Sequence, residues 1–272
     1  MGYLTTDKKK ITTQTFAEMK AAGEKIAQLT SYDFTTAGIV DRAGIDSILV
    51  GDSASNVMAG NETTLPITVD EMIVYARGVV RACHHCLVVC DMPFGSYQVS
   101  REDAVRNAVR IMKETGADAL KLEGGSEIVD TIRAIIAAGI PVEGHLGLTP
   151  QSIHKFGGYG LRAKETAEAS KLLADAHALS DAGCFAITLE KVPSKLAAQV
   201  TREVKAATIG IGAGPDTDGQ VLVYADALGM TQGFKPKFLR RFADMGKTMT
   251  DGVQAYVEAV KGGTFPTAEE SY

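Results

Sequence analysis

Seven short apolar runs, each closed by a polar residue or glycine, recur along the chain and constrain its fold more than anything else: KIAQLTSYD (25–33), SILVGDS (47–53), LVVCDMP (87–93), ALKLEGG (119–125), PVEGHLG (141–147), FAITLEK (185–191) and TIGIGAG (208–214). They are nearly continuous in β-branched and aliphatic residues and lack polar alternation, which is how strands covered on both faces read. Helical patterns separate them, over 68–82, 100–116, 126–139, 163–183 and 194–207. Thr68 and Ser100 offer N-caps with an acid in the first turn, and Gly116, Gly139 and Gly183 offer C-terminal stops. VLVYADAL (221–228) is the best candidate for an eighth strand, and eight units in 272 residues leave 34 for each, close to what a strand–helix repeat needs. Strict alternation favours an α/β fold of the (β/α)8 TIM-barrel type, a single domain over 1–272 with a short polar N-terminal extension, a helix at Thr15–Gly23 and a polar tail from Gly262 to Tyr272. No G-x-G-x-x-G follows the first run, so an open dinucleotide-binding sheet loses its main support.

Composition narrows the partners. A 45% hydrophobic chain can fill one large core, and a net charge of −5 provides no general field for polyanions, so nucleic acid is not an expected partner. No apolar run reaches membrane-span length and the N-terminus lacks the apolar core of a secretory signal, so a cytoplasmic protein with no membrane partner is expected. Four cysteines are too few for a disulfide framework. Cys83-His84-His85-Cys86 superficially resembles a metal site but lacks a second ligand pair, Cys184 being isolated; the expectation is a surface turn between a helix ending near Ala82 and a buried strand.

In a barrel of this kind the chemistry sits where the strands end. Those ends supply Tyr32-Asp33, Asp52-Ser53, Asp91, Lys121 with Glu123, Glu143 with His145, Glu190, and the glycine-rich IGAGPDTDG. Any one acid there is as readily a helix cap or a solvated turn, but four strands delivering acids to one rim argue for a site. Asp52, Asp91 and Glu123 are hard oxygen donors that would repel one another without a cation, and an all-carboxylate set suits Mg²⁺. Lys121 and Glu123 share a strand face, so an ammonium beside the ion could bind a 2-oxo acid and stabilise an enolate; the alternative is an ordinary ion pair inside the barrel. Glu190, apart from the trio, is the candidate general base, and His145 either contacts substrate or is a satisfied core histidine. The glycine-rich stretch either cradles phosphate or makes a tight turn.

TSYD (30–33), LVGDS (49–53), TTLPITVDEM (63–72), DMPFGSY (91–97), KLEGG (121–125), GHLGLTPQS (145–152), FGGY (156–159), LEKVP (189–193), IGIGAG (209–214) and DGQVLVYADALGM (218–230) together resemble, in the same order, the ketopantoate hydroxymethyltransferase family, over about residues 12–262. The resemblance implies Mg²⁺-dependent transfer of a hydroxymethyl group from 5,10-methylenetetrahydrofolate to 3-methyl-2-oxobutanoate through a Mg-stabilised enolate, giving 2-dehydropantoate on the route to pantothenate and coenzyme A. It implies Asp52, Asp91 and Glu123 as the metal site, with Glu123 reaching the ion through water. Asp52, Ser53, Asp91, Lys121 and His145 become substrate contacts, and Glu190 the proton acceptor. It also implies a cytoplasmic homo-oligomer, a decamer built as a pentamer of dimers. Lys191, Glu143 and YGLRAK (159–164) depart from the family's pattern. Two rivals are weaker. A Mg²⁺-dependent carbon–carbon lyase or mutase on a pyruvate-like substrate calls for a catalytic-loop cysteine, and DMPFGSY offers none beyond Cys90. A catalytically silent ligand-binding barrel would lack at least one of these site residues, and none is missing.

Overall fold

A computed structural model describes residues 9–231, 233 and 235–272; the polar segment ahead of Lys9 lies outside the described residues. Eight parallel strands close a barrel in chain order: β1 (Ile26–Thr30), β2 (Ser47–Val50), β3 (Leu87–Asp91), β4 (Ala119–Glu123), β5 (Val142–Gly147), β6 (Ala186–Glu190), β7 (Ala207–Ile211) and β8 (Gly219–Leu222). Before β1 comes α1 (Thr13–Ala22). The connections up to β7 carry α2 (Phe34–Arg42), α3 (Ala54–Val57), α4 (Val69–Ala82), α5 (Arg101–Thr115), α6 (Val129–Ala137), α7 (Ile153–Phe156), α8 (Thr166–Ala182) and α9 (Ser194–Glu203). The chain divides into two compact units, one running to Leu222 and one from Val223 to Tyr272. In the second unit, α10 (Tyr224–Ala227) and α11 (Met245–Lys261) are joined by backbone bonds from Phe242 to Ala227 and from Met245 to Leu228, and Tyr256 stacks edge-on against Phe265.

The helix signals act as their chemistry demands. Thr68 and Glu71 form a reciprocal capping box at α4, Ser100 caps α5 by accepting the Asp103 N–H, and Gly116 and Gly183 close α5 and α8 in the left-handed conformation.

Strand alternation sorts the barrel interior into levels. Near its N-terminal end Phe16 of α1 packs into Ile26, Leu87, Ala119, Ala186 and Ala207, with Phe185 edge-on at 5.6 Å. Two residues further along β1, β4 and β6 come Gln28, Lys121 and Thr188, with Glu143 of β5 beside Thr188, all buried. At the C-terminal ends stand Asp91, Glu123, His145 and Glu190. One set of strands thus passes from oil to charge within five residues.

Three expectations change. The eighth strand is four residues long and starts at Gly219, where a Cβ would lie 2.5 Å from the Ile26 carbonyl oxygen; the apolar run expected to extend it to 228 instead turns into α10, burying Tyr224, Ala225 and Ala227. Short apolar runs look alike in a strand and a buried helical turn. No helix lies between β7 and β8, which are joined by residues 212–218. The glycines of this stretch serve that tight return: a Cβ on Gly214 would meet the Ser194 Cβ at 2.4 Å, and the Asp218 carboxylate pins the turn by accepting the Thr208 N–H and hydroxyl.

The third concerns the Cys83–Cys86 turn, which lies between α4 and β3 with His84 at the surface as expected, but whose two thiols are buried and whose backbone N–H groups at His84, His85 and Cys86 are accepted by the Asp41 carboxylate on α2. Tertiary contact with α2 decides this, and nothing local to CHHC signals it.

Candidate active site

The side chains singled out at the strand ends meet in one place. The backbone N–H of Asp52, just past β2, donates to Asp91 Oδ2 at 2.8 Å, and the Lys121 ammonium lies 2.6 Å from Asp91 Oδ1. Lys121 Nζ is also 3.4 Å from His145 Nδ1. That imidazole stands between two acids, with Nδ1 3.2 Å from Glu123 Oε1 and Nε2 3.4 Å from Glu190 Oε2. Ser53 joins through its hydroxyl, 2.7 Å from the Tyr32 phenol. Asp52, Asp91, Lys121, Glu123 and His145 are buried, while Ser53 and Glu190 are partly exposed, as groups that must reach a substrate should be.

The electrostatics describe a site with surplus negative charge. Burial, reinforced by Glu123 and Asp91, pushes the Asp52 carboxyl well above the ordinary range. Burial also raises Asp91, against the pull of Lys121. Glu123 is held low: burial opposes its charge, but His145 and Lys121 outweigh burial. His145 is raised to about 9, because Glu123 and Glu190 overcome burial and the Lys121 charge. With Lys121 likewise held protonated by Asp91, Glu123 and Asp52, four carboxylates face one ammonium and one imidazolium. A divalent cation would relieve this crowding of buried acids and favour the ionised forms of Asp52 and Asp91.

The donor set fits such an ion, within limits. Asp91 Oδ1 is buried with the Lys121 ammonium 2.6 Å away as its partner, and among the described residues the hydrogen bond to the Asp52 carboxylate falls on Oδ2 alone. Oxygens on one Mg²⁺ lie at most about 4.2 Å apart, twice a Mg–O bond of about 2.1 Å. One oxygen each from Asp52, Asp91 and Glu123 do not all come within 4.8 Å; the only described triad that does is Asp41, Cys83 and Cys86. Three direct carboxylate ligands therefore do not fit this arrangement, whereas one or two with water completing the shell is how Mg²⁺ is ordinarily held.

Two residues of the site carried no assignment in the sequence. Gln151, in the turn after β5, donates through Nε2 to Asp52 Oδ2 (2.9 Å) and the Met92 carbonyl (3.0 Å), and through its backbone N–H to Glu123 Oε2 (2.9 Å). The Tyr97 hydroxyl accepts the Glu123 N–H and donates to Gln151 Oε1 at 2.6 Å. Both lie in motif blocks, GHLGLTPQS and DMPFGSY, but a neutral amide and a phenol carry no charge signal to single them out.

The residues that depart from the family pattern also find places. Glu143 sits below the rim, accepting from the Thr188 hydroxyl at 2.6 Å, and burial pushes its carboxyl up. Lys191, after Glu190, adopts a left-handed backbone (φ 45°). Its carbonyl accepts the Arg162 N–H and its ammonium reaches the Tyr159 carbonyl, tying the 159–162 segment to the end of β6. Cys90, the one cysteine near the rim, lies within β3 between inward-facing Val89 and Asp91, so it faces the helices rather than the site.

A closed parallel barrel with an acidic rim, one buried lysine and a histidine-linked carboxylate is the arrangement of a barrel enzyme. A family model described as ketopantoate hydroxymethyltransferase matches residues 10–268, and the chain belongs to that family. The 3-methyl-2-oxobutanoate hydroxymethyltransferase of Phocaeicola vulgatus is 61% identical over 271 residues, covering all of this chain and 99% of the relative. The protein of the same name from Christiangramia forsetii is 60% identical over 97% of each chain. Among solved structures, 2,3-dimethylmalate lyase aligns at a TM-score of 0.62 with 15% identity, over 97% of this chain and 89% of that one. Phosphonopyruvate hydrolase in complex with oxalate and Mg²⁺ aligns at 0.60 with 10% identity, over 95% and 92%. At such identities the structural likeness shows the fold alone.

Proposed function

We propose that this protein transfers a hydroxymethyl group from 5,10-methylenetetrahydrofolate to 3-methyl-2-oxobutanoate, forming 2-dehydropantoate, with Mg²⁺ as its metal. Family membership and the names of the relatives support the reaction. The observation that carries the site assignment is the continuous chain from Asp52 through Asp91, Lys121 and His145 to Glu190. Asp52 and Asp91 would hold the ion directly and Glu123 through water. When bound, Mg²⁺ supplies Lewis acidity toward the carboxylate and keto oxygens of the oxo acid.

The chain's own groups do the rest. Lys121, charged and shielded from water, meets the negative charge of the oxo acid as it shifts toward the keto oxygen. Ser53, its hydroxyl steadied by Tyr32, donates to a substrate oxygen. Glu190 removes the C3 proton, and His145 orients it while keeping Glu123 charged. The carbon so exposed bonds to the one-carbon unit as that unit's two bonds to the folate nitrogens break; water supplies the product hydroxyl, and the proton taken by Glu190 and one from water pass to the released tetrahydrofolate. This reading places the chemistry on a single (β/α)8-barrel domain, in a cytoplasmic homo-oligomer, a decamer of five dimers. No described helix is long and apolar enough to cross a membrane.

The direct test supplies 3-methyl-2-oxobutanoate and Mg²⁺ in D₂O and follows the C3 proton by NMR. Glu190→Gln is expected to bind the oxo acid yet exchange that proton at least about 100-fold more slowly. Unchanged exchange removes Glu190 from the base role.

A further inference from the structure

The orientation of the Gln151 amide is overdetermined. The Met92 carbonyl can only accept, so the nitrogen of the amide must face it, at 3.0 Å. Gln98 reaches the same answer from the other side: its Oε1 accepts the Gly95 and Tyr97 N–H groups, so its Nε2 must donate, and it points at Gln151 Oε1 at 3.2 Å. Tyr97 agrees, since its phenolic oxygen takes the Glu123 N–H and its own hydrogen finds Gln151 Oε1 at 2.6 Å, nearer than the Glu123 carbonyl at 3.2 Å. Turning the amide over would set its oxygen against both the Met92 carbonyl and the Asp52 carboxylate. Gln151 therefore always presents an N–H to Asp52 Oδ2, and its backbone N–H does the same for Glu123 Oε2.

Such a donor differs from the one on Asp91. Lys121 gives Asp91 a hydrogen-bonding partner that cancels its charge, whereas Gln151 holds Asp52 by one oxygen and leaves its charge uncompensated. A carboxylate held this way by a neutral amide keeps its other oxygen, Oδ1, for a cation.

We infer that Gln151 is the positioning residue of the cation site: its side chain fixes Asp52 and its backbone fixes Glu123, so that one three-residue turn after β5 sets the spacing of acids carried by β2 and β4. This rests on the Mg²⁺ reading above and adds to it the residue that holds the acids apart before any ion arrives. Partners outside the ligand shell of a metal commonly contribute 10–100-fold in affinity.

Mn²⁺, titrated into the full-length protein and followed by the free-ion EPR signal, tests this without turnover. Gln151→Met keeps the size of the side chain and removes its donors; Gln151→Asn keeps the amide but draws it back by one methylene. Both are expected to weaken Mn²⁺ binding by about tenfold or more. Turnover should recover toward the wild-type kcat when metal is raised, a rescue that a merely structural defect would not show. Tyr97→Phe, which removes one of the three locks on the amide, should weaken binding less. Wild-type affinity in a folded Gln151→Met or Gln151→Asn protein would overturn the inference while leaving the metal reading intact. If the wild-type protein binds no Mn²⁺ that Asp91→Ala abolishes, the metal reading itself fails.

Discussion

The barrel buries aspartates at both ends, and they are built oppositely. Asp41, on α2 beside the Cys83–Cys86 turn, spends its carboxylate on three backbone N–H groups; burial opposes its charge, but those bonds hold it below the usual carboxylate range. Asp52, at the C-terminal rim, accepts one N–H from a side-chain amide and is pushed well above that range by burial and by its acidic neighbours. Counting donors separates the two: a buried carboxylate saturated by backbone amides is structural, and one left short beside other acids is waiting for a positive charge. The same count explains why the Asp41, Cys83 and Cys86 cluster, although its ligand atoms are the more closely gathered, reads as a clamp on the turn. Its carboxylate is already satisfied, and the Cys86 thiol is pushed up by its hydrogen bond with Cys83, by burial and by Asp41, so it stays protonated.

The comparison can be broken most sharply at Asp91. Asp91→Ala removes a proposed ligand and strands the buried Lys121 ammonium, so metal-free protein should lose about 3–5 kcal/mol in urea denaturation and fail to bind Mn²⁺. Normal Mn²⁺ binding by this variant would refute the ligand assignment.

Next in size is a pH effect. His145 has a folded-state pKa near 9 against an ordinary 6.5, so the protonated form is bound more tightly by the fold. Its contribution, up to about 3 kcal/mol, is complete below about pH 6.5 and is lost as pH rises through about 9. Thermal unfolding of metal-free protein between pH 6 and pH 10 should show this alkaline loss, and His145→Gln should flatten it. An equally steep loss in the variant would assign it to another group.

The smallest effect belongs to Asp41. Asp41→Ala leaves three N–H groups without a partner and should cost about 2 kcal/mol, since water can reach the exposed His84. Mn²⁺ affinity and C3 proton exchange should stay at wild-type values; a variant that lost either would show that the two ends of the barrel are not independent.

Much of the architecture was legible in residue order alone. Six of the eight strands fall inside the apolar runs and β7 begins one residue ahead of its own, because a strand covered on both faces is mostly apolar. Thr68, Ser100, Gly116 and Gly183 mark helix ends because capping is a local bargain between a side chain and the first or last turn. The end of β8 was not legible, since an apolar run does not say whether it is burying a strand or one turn of helix.

The list of charged residues at the rim was readable in advance too: an acid closing an apolar run is conspicuous, and a parallel barrel gathers all its strand ends on one side. Tertiary structure alone decided what each of those charges meets. That Asp52 receives an amide from a residue 99 positions away, that Asp52, Asp91 and Glu123 do not all come close enough to grip one ion directly, and that Asp41 rather than solvent holds the cysteine turn are facts of distance between distant segments. Sequence fixes which groups arrive at an end of the barrel through local periodicity, whereas the spacing between them depends on loops such as the one carrying Gln151, whose neutral side chains have no pattern to betray them.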